Sequence, residues 1–270
     1  ATPPMLRNVF LKSLQEQQRS LFWWVIGLSA LNIVTILFYP SFADRPELNE
    51  LFADLGPLAE AFMGQIEDFT SPEGFIDSQL FSFMIPLLFV AFGIFSGSGS
   101  IAGEEERGTL DLLLSNPLHR RQIILEKFAA NLVAIALLGV GTWIGLVAGA
   151  LMVSMDISWL RLAEATVSSA LLGATFGALA FALGSARGKR GTAAGVSAAI
   201  GVAAFLLNTL VPLVELPEPL TRISPFHYYN SAMPLFNGLD PLHAFALVAM
   251  TIVLFTVALV TFERRDLGIG

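Results

Sequence analysis

The sequence predicts an all-α polytopic membrane protein with six transmembrane helices, and three observations carry that expectation. First, 54% of the 270 residues are hydrophobic and only 14% are charged, with a mean hydropathy of +0.68. Soluble domains carry about 25% charged residues, so this chain has too few to clothe a water-exposed globule. Second, apolar runs recur at close to the ~20 residues that cross a hydrocarbon core of about 30 Å. Third, a six-span layout with both ends on one side places 12 bases there and leaves Arg45, Arg161 and Arg222 opposite, accounting for all 15. Cytoplasmic loops carry such an excess, so both termini are expected in the cytoplasm of a plasma (inner) membrane protein. Residues 1–270 are expected to form a single transmembrane domain.

Residues 5–20 set Leu6, Val9, Phe10 and Leu14 among Arg7, Lys12, Gln15 and Arg19. That spacing predicts an N-terminal amphipathic interfacial helix with a basic face, the alternative being the start of the first span. The first span is expected at 21–39, with Trp23 and Trp24 at one end and Tyr39 at the other, aromatic positions suited to the headgroup level. Residues 41–78 hold nine acids against one base, and Leu48, Leu51, Phe52 and Leu55 predict a surface helix within them. The second span is expected at 79–100 and ends in a Gly- and Ser-rich stretch. The third, 123–154, carries Gly141, Gly145 and Gly149 at four-residue spacing, and the fourth, 162–186, carries Gly173 and Gly177. Small residues in such register let helices approach closely, here chiefly within one chain.

A basic turn, Arg187 to Arg190, leads into a fifth span at 191–211. Five prolines between Pro212 and Pro234 then forbid one continuous helix. Among them lie Pro225, Phe226, His227, Tyr228, Tyr229 and Asn230, an aromatic cluster expected of an interfacial or re-entrant extracytoplasmic segment. The sixth span, 241–262, precedes Glu263, Arg264, Arg265 and Asp266.

Several chemistries find no support in the sequence. The nearest approach to a phosphate-binding P-loop, from Gly184 to Arg190, is one residue short and ends in Arg where the metal-binding Ser or Thr belongs. The three histidines lie in different loops or at a span end, no HExxH occurs, and there is no cysteine. The spans carry almost no ionisable residues away from their ends, whereas proton- and sodium-coupled transporters keep such groups near the midplane. Asn32, Asn131 and Asn208 read as interhelical hydrogen-bond partners. No catalytic, cofactor or metal site is therefore expected on this chain, and no energy source of its own.

The charged island at 102–127 stands out between two apolar runs. Glu104, Glu105 and Glu106 precede Arg107, Gly108 and Thr109; Leu110, Leu112, Leu113 and Leu114 follow, then Asn116, Pro117, Arg120 and Arg121. Three carboxylates at a helix start are favourable against the macrodipole, Gly108 allows a bend, and a leucine stripe suits an apolar groove. The plain alternative is a solvated loop whose bases only fix topology.

The run from Gly103 to Leu110, with Leu113, Leu114, Pro117, Arg120, Arg121 and Lys127, resembles the signature of ATP-binding cassette type-2 transporter permeases. The terminal Phe262–Asp266 segment and the aromatic cluster are also similar to that family. The resemblance implies six spans with a cytoplasmic coupling helix between the second and third, docking a separate cytoplasmic ATPase subunit that holds ATP and Mg. It implies a non-catalytic permease subunit, an exporter, working with a second permease chain, most simply as a homodimer, among membrane lipid and without nucleic acid. One alternative is a permease of the same fold that transmits force or delivers material to an extracytoplasmic partner, as the nitrous-oxide-reductase maturation permeases are thought to do. Another is an ATPase-independent scaffold or secondary transporter.

Overall fold

The computed structural model describes residues 9–43, 45, 47, 49, 68–110, 119–210 and 221–265. Among them the order is α1 (Val9–Leu37), α2 (Pro40–Ala43), α3 (Pro72–Ile76), a π turn (Asp77–Phe81), α4 (Met84–Ser100) and α5 (Ala102–Glu106). Then follow α6 (Arg120–Met152), α7 (Trp159–Arg187), α8 (Arg190–Thr209), α9 (Pro225–Asn230), α10 (Pro234–Asn237) and α11 (Pro241–Arg264). Six stretches are long and apolar enough to cross a membrane: Val9–Ala43, Pro72–Ser100, Arg120–Met152, Trp159–Arg187, Arg190–Thr209 and Pro241–Arg264. The protein is an all-α multi-pass membrane protein, and no strand occurs among the described residues.

Two boundaries differ from the sequence expectation. The basic stretch from Val9 onward is not a separate interfacial helix; it continues unbroken into the first span as α1. Nothing in it can stop a helix, since it holds neither Pro nor Gly before Gly27. The second span begins earlier, at Pro72, where Ser71 accepts from the Gly74 N–H at 3.1 Å as N-cap. It then passes through the π turn, closed by Ser82 N–H donating to the Asp77 carbonyl at 2.7 Å. Pro86 accounts for the break that follows at Phe83: its ring excludes the carbonyl four residues earlier, that of Ser82. The surface helix expected around Leu48–Leu55 lies outside the described residues.

The bundle is organised around α7, which packs on α4, α6, α8 and α11, while α1 packs chiefly on α6. Glycine ridges set these contacts. A Cβ on Gly93 or Gly97 would strike the carbonyl of Gly173 or Gly177, so the two glycine pairs bring α4 and α7 into backbone contact. On α6, a Cβ on Gly145 would come within 2.7 Å of the Ser29 Cα of α1, and Ser29 Oγ donates to the Gly141 carbonyl at 3.1 Å. Gly149 likewise faces Ile33 and Ile36. The aromatic core is split between the two ends: Phe69, Phe75 and Phe81 fill one, and Phe128, Phe181 and Phe262 fill the other.

Candidate functional site

The island folds at the end of the bundle where α1 begins and α11 finishes. After α4, Ala102–Glu106 makes one short helix, closed at Arg107 and Gly108, the latter at φ +67°, a conformation glycine adopts without cost. Thr109 returns to it, its N–H and hydroxyl donating to the Glu104 carbonyl at 2.9 and 3.2 Å. Leu110 is buried with Ile101, Ile124 and Phe262. Leu113, Leu114 and Pro117 lie outside the described residues.

The three glutamates, which the sequence suggested as a docking face, each tie to a different helix. Glu104 is 2% exposed; its carboxylate pairs with the Lys127 ammonium of α6 at 2.8 Å and lies 3.7 Å from Lys12 of α1. Glu105 is partly buried and takes both guanidinium nitrogens of Arg265, just past α11. Arg265 also donates to the Ser185 carbonyl at 3.3 Å, drawing in the end of α7. Glu106, exposed, accepts the Arg190 backbone N–H at 2.8 Å, which caps the start of α8. Gly188, left-handed at φ +65°, closes α7 against the Glu105 carboxylate, leaving no room for a Cβ. One pentapeptide thus joins five of the six spans and directly continues the remaining one, α4.

Arg107 and Gly108 are exposed, as are Arg120 and Arg121 at the start of α6. Arg120 donates to the Arg265 carbonyl at 3.1 Å, so the two sides of the island meet at the end of α11.

Beside the island, Asn131 of α6 collects three donors on its side-chain carbonyl: Gln17 at 3.0 Å, Ser96 at 3.1 Å and Ser100 at 2.9 Å. Lys12, Gln17, Arg190 and Arg265 were not singled out in sequence as members of this site, whereas Lys127 closes the run that resembles the family signature. Only Lys127 carried a visible signal, a lone cation two turns inside an apolar helix, where a buried charge needs a partner.

At the opposite end, Pro225–Asn230 forms α9, capped by Ser224 and led by Pro225. Phe226 packs between Phe176 and Phe205. The buried Tyr229 donates to the Phe81 carbonyl at 2.8 Å and accepts from Ser169 Oγ at 3.2 Å. Phe81 closes the π turn, so α9 is bonded to the irregular part of the second span. Asp77, expected in a loop, lies in that turn, 3.4 Å from Ser82 Oγ. His227, Tyr228 and His243 stack edge to face at the rim, while Asn230 ends the helix. No cluster of three or more metal-ligating side chains occurs among the described residues.

A profile of the ABC-2 family transporter proteins matches residues 7–267. The chain is 34% identical over 177 residues to the probable ABC transporter permease protein NosY of Pseudomonas aeruginosa, a match covering 61% of this chain and 60% of that protein. It is 30% identical over 203 residues to the probable permease protein NosY of Stutzerimonas stutzeri, covering 72% of this chain and 69% of that one. The first match thus spans less than two thirds of its relative. With the profile running almost end to end over a six-span helical bundle, the chain belongs to the ABC-2 transporter family.

Proposed function

We propose that this chain is the membrane-spanning permease subunit of an ABC exporter and is itself non-catalytic. A second copy completes the transport path, and ATP and Mg sit on a separate ATPase subunit docked at the island. Both termini then lie in the cytoplasm of an inner-membrane protein, a placement that the distribution of bases supports. The observation that carries this reading is the convergence on Glu104–Glu106 of α1, α6, α7, α8 and the end of α11. A push on Arg107, Gly108 or the start of α6 reaches those spans through ionic and hydrogen-bond contacts, with little slack. The carboxylates act as the inner hub of the coupling element, and Arg107, Thr109, Arg120 and Arg121 form its outer face.

A second reading keeps the fold and the ATPase but has the permease serve an extracytoplasmic protein; the likeness to the two NosY permeases favours it. Purification of the tagged protein from native membranes in mild detergent, with mass spectrometry of the co-purifying chains, tests both. A stoichiometric P-loop protein is expected; an added extracytoplasmic protein selects the second reading. Recovery of no nucleotide-binding chain, even after crosslinking, would overturn the proposal.

A further inference from the structure

Among the described residues the hub leaves two arginine side chains without a carboxylate partner, and both border one cavity. It measures about 190 Å³ and lies between α1 and α4 at the island end, lined in part by Gln17, Ser20, Ser96, Ser100, Arg107 and Arg190. Lys127 also reaches it but is paired with Glu104, and the one lining carboxylate, Glu16, is 3.5 Å from Lys12. Glu106 engages Arg190 only through its main-chain N–H, and the guanidinium itself rests over the Phe95 ring, 4.8 Å from its centroid. Ser13 Oγ, buried on the same wall, has no hydrogen-bond partner among the described residues. The cavity therefore presents surplus positive charge and the unpartnered Ser13 hydroxyl, while Ser96 and Ser100 already donate to Asn131.

The same two helices continue into an apolar groove. One turn beyond Ser20, Trp23, Trp24, Gly27, Leu28 and Leu31 face Leu88 across a space of about 390 Å³. Trp24 touches Phe92 edge to face where the polar cavity gives way to the groove. Gly27 keeps the groove open, since a Cβ there would meet nothing within 4 Å.

A cationic head space beside an apolar groove on the same two helices suits an amphiphile with a phosphate at one end. We propose that the seam between α1 and α4 holds one anionic phospholipid, its phosphate between Arg107 and Arg190 and an acyl chain along Gly27. Guanidinium groups suit the several oxygens of a phosphodiester, and basic pockets between transmembrane helices recognise anionic headgroups. The lipid would fill the wedge that α1 leaves against α4 while packing chiefly on α6. The inference stands on these residues whether or not an ATPase docks at the island.

The test is native mass spectrometry of the full chain with its attached subunits, stripped of lipid and titrated with dioleoyl phosphatidylglycerol or dioleoyl phosphatidylcholine. One phosphatidylglycerol per chain is expected to remain bound, in preference to phosphatidylcholine. The double variant Arg107→Gln with Arg190→Gln should weaken it about 25-fold, taking roughly fivefold for each base removed. Gly27→Phe, whose Cβ would meet nothing within 4 Å, should also evict the lipid by filling the groove, with a melting curve to check that the fold is kept. Equal retention of the two lipids, or no response to either change, would overturn the proposal. Displacement by millimolar glycerol phosphate would also overturn it, by assigning the cavity to a free phosphate compound.

Discussion

The most buried charge pair of the hub, Glu104 with Lys127, is almost fully enclosed, and such a pair matters most when it is broken. Removing one partner leaves a buried charge uncompensated, which costs about 3–5 kcal/mol. Glu104→Gln should lower stability by that order in a denaturant titration of the detergent-solubilised protein. Adding Lys127→Met should recover part of the loss, because the orphaned charge disappears as well. Equal losses for the single and double variants would show that the pair is not the source. Asp68 makes a different kind of test, at the end away from the island. It accepts from Thr70 and Asn49 side chains, which hold its carboxyl below the usual 3.8. A depressed carboxylate stabilises the fold above its ordinary value and loses that contribution as pH falls through the lower, folded-state value. Asp68→Asn should therefore melt below the parent at pH 7, and the gap should close as the pH falls below about 3.8. The ionic partnerships of the hub were not legible in the sequence: Glu104 and Lys127 stand 23 positions apart, and Glu105 finds Arg265 across 160. Local pattern carries no information at such separations.

At the scale of the helix, composition and spacing did better. Apolar length alone gave the number of membrane-length helices, six, because a bilayer imposes that length whatever the tertiary contacts. The glycines at four-residue spacing marked close-packed faces, but their partners came only with the structure, since Gly93 and Gly97 sat unremarked in a Gly- and Ser-rich tail. The early start of the second span was illegible for a different reason. The π turn answers Pro86, and the carbonyl of its last residue, Phe81, is taken up by Tyr229, 148 residues away. The glycine contacts predict opposite signs for one chemical change. Gly93→Ala drives a methyl into the Gly173 carbonyl, where only backbone can yield, and should cost at least the 1–3 kcal/mol typical of overpacking. Gly195→Ala on α8 meets nothing within 4 Å and should stabilise its helix by about 0.5–1 kcal/mol. Paired unfolding curves check both; a milder effect at Gly93 than at Gly195 would refute the close contact of α4 with α7.

For the whole molecule, what matters is how motion entering at the island spreads through the bundle. The fourth span is the hub of the apolar core, while α5 is the hub of the polar contacts at one end. The two hubs are linked twice: by α4, which runs directly into α5 and packs on α7, and by Arg265, which bridges Glu105 to the Ser185 carbonyl of α7. A displacement of α5 must then carry α7 with it or break the Arg265 bridge. The sequence marked the island as the place where the proposed ATPase would act, because a charged stretch between two spans must lie outside the hydrocarbon. It did not show that the island grips the last span. That grip can be tested by exchanging its charges. In proteoliposomes containing the chain and the proposed ATPase subunit, Glu105→Arg should lower transport-linked ATPase stimulation while the two subunits still associate. Arg265→Glu alone should do the same, because either change sets like charges against each other. Combining the two restores an opposite pair at the same place and should recover much of the stimulation. Additive loss in the double variant would mean that the two residues act separately, and that α11 is moved by contacts other than this bridge.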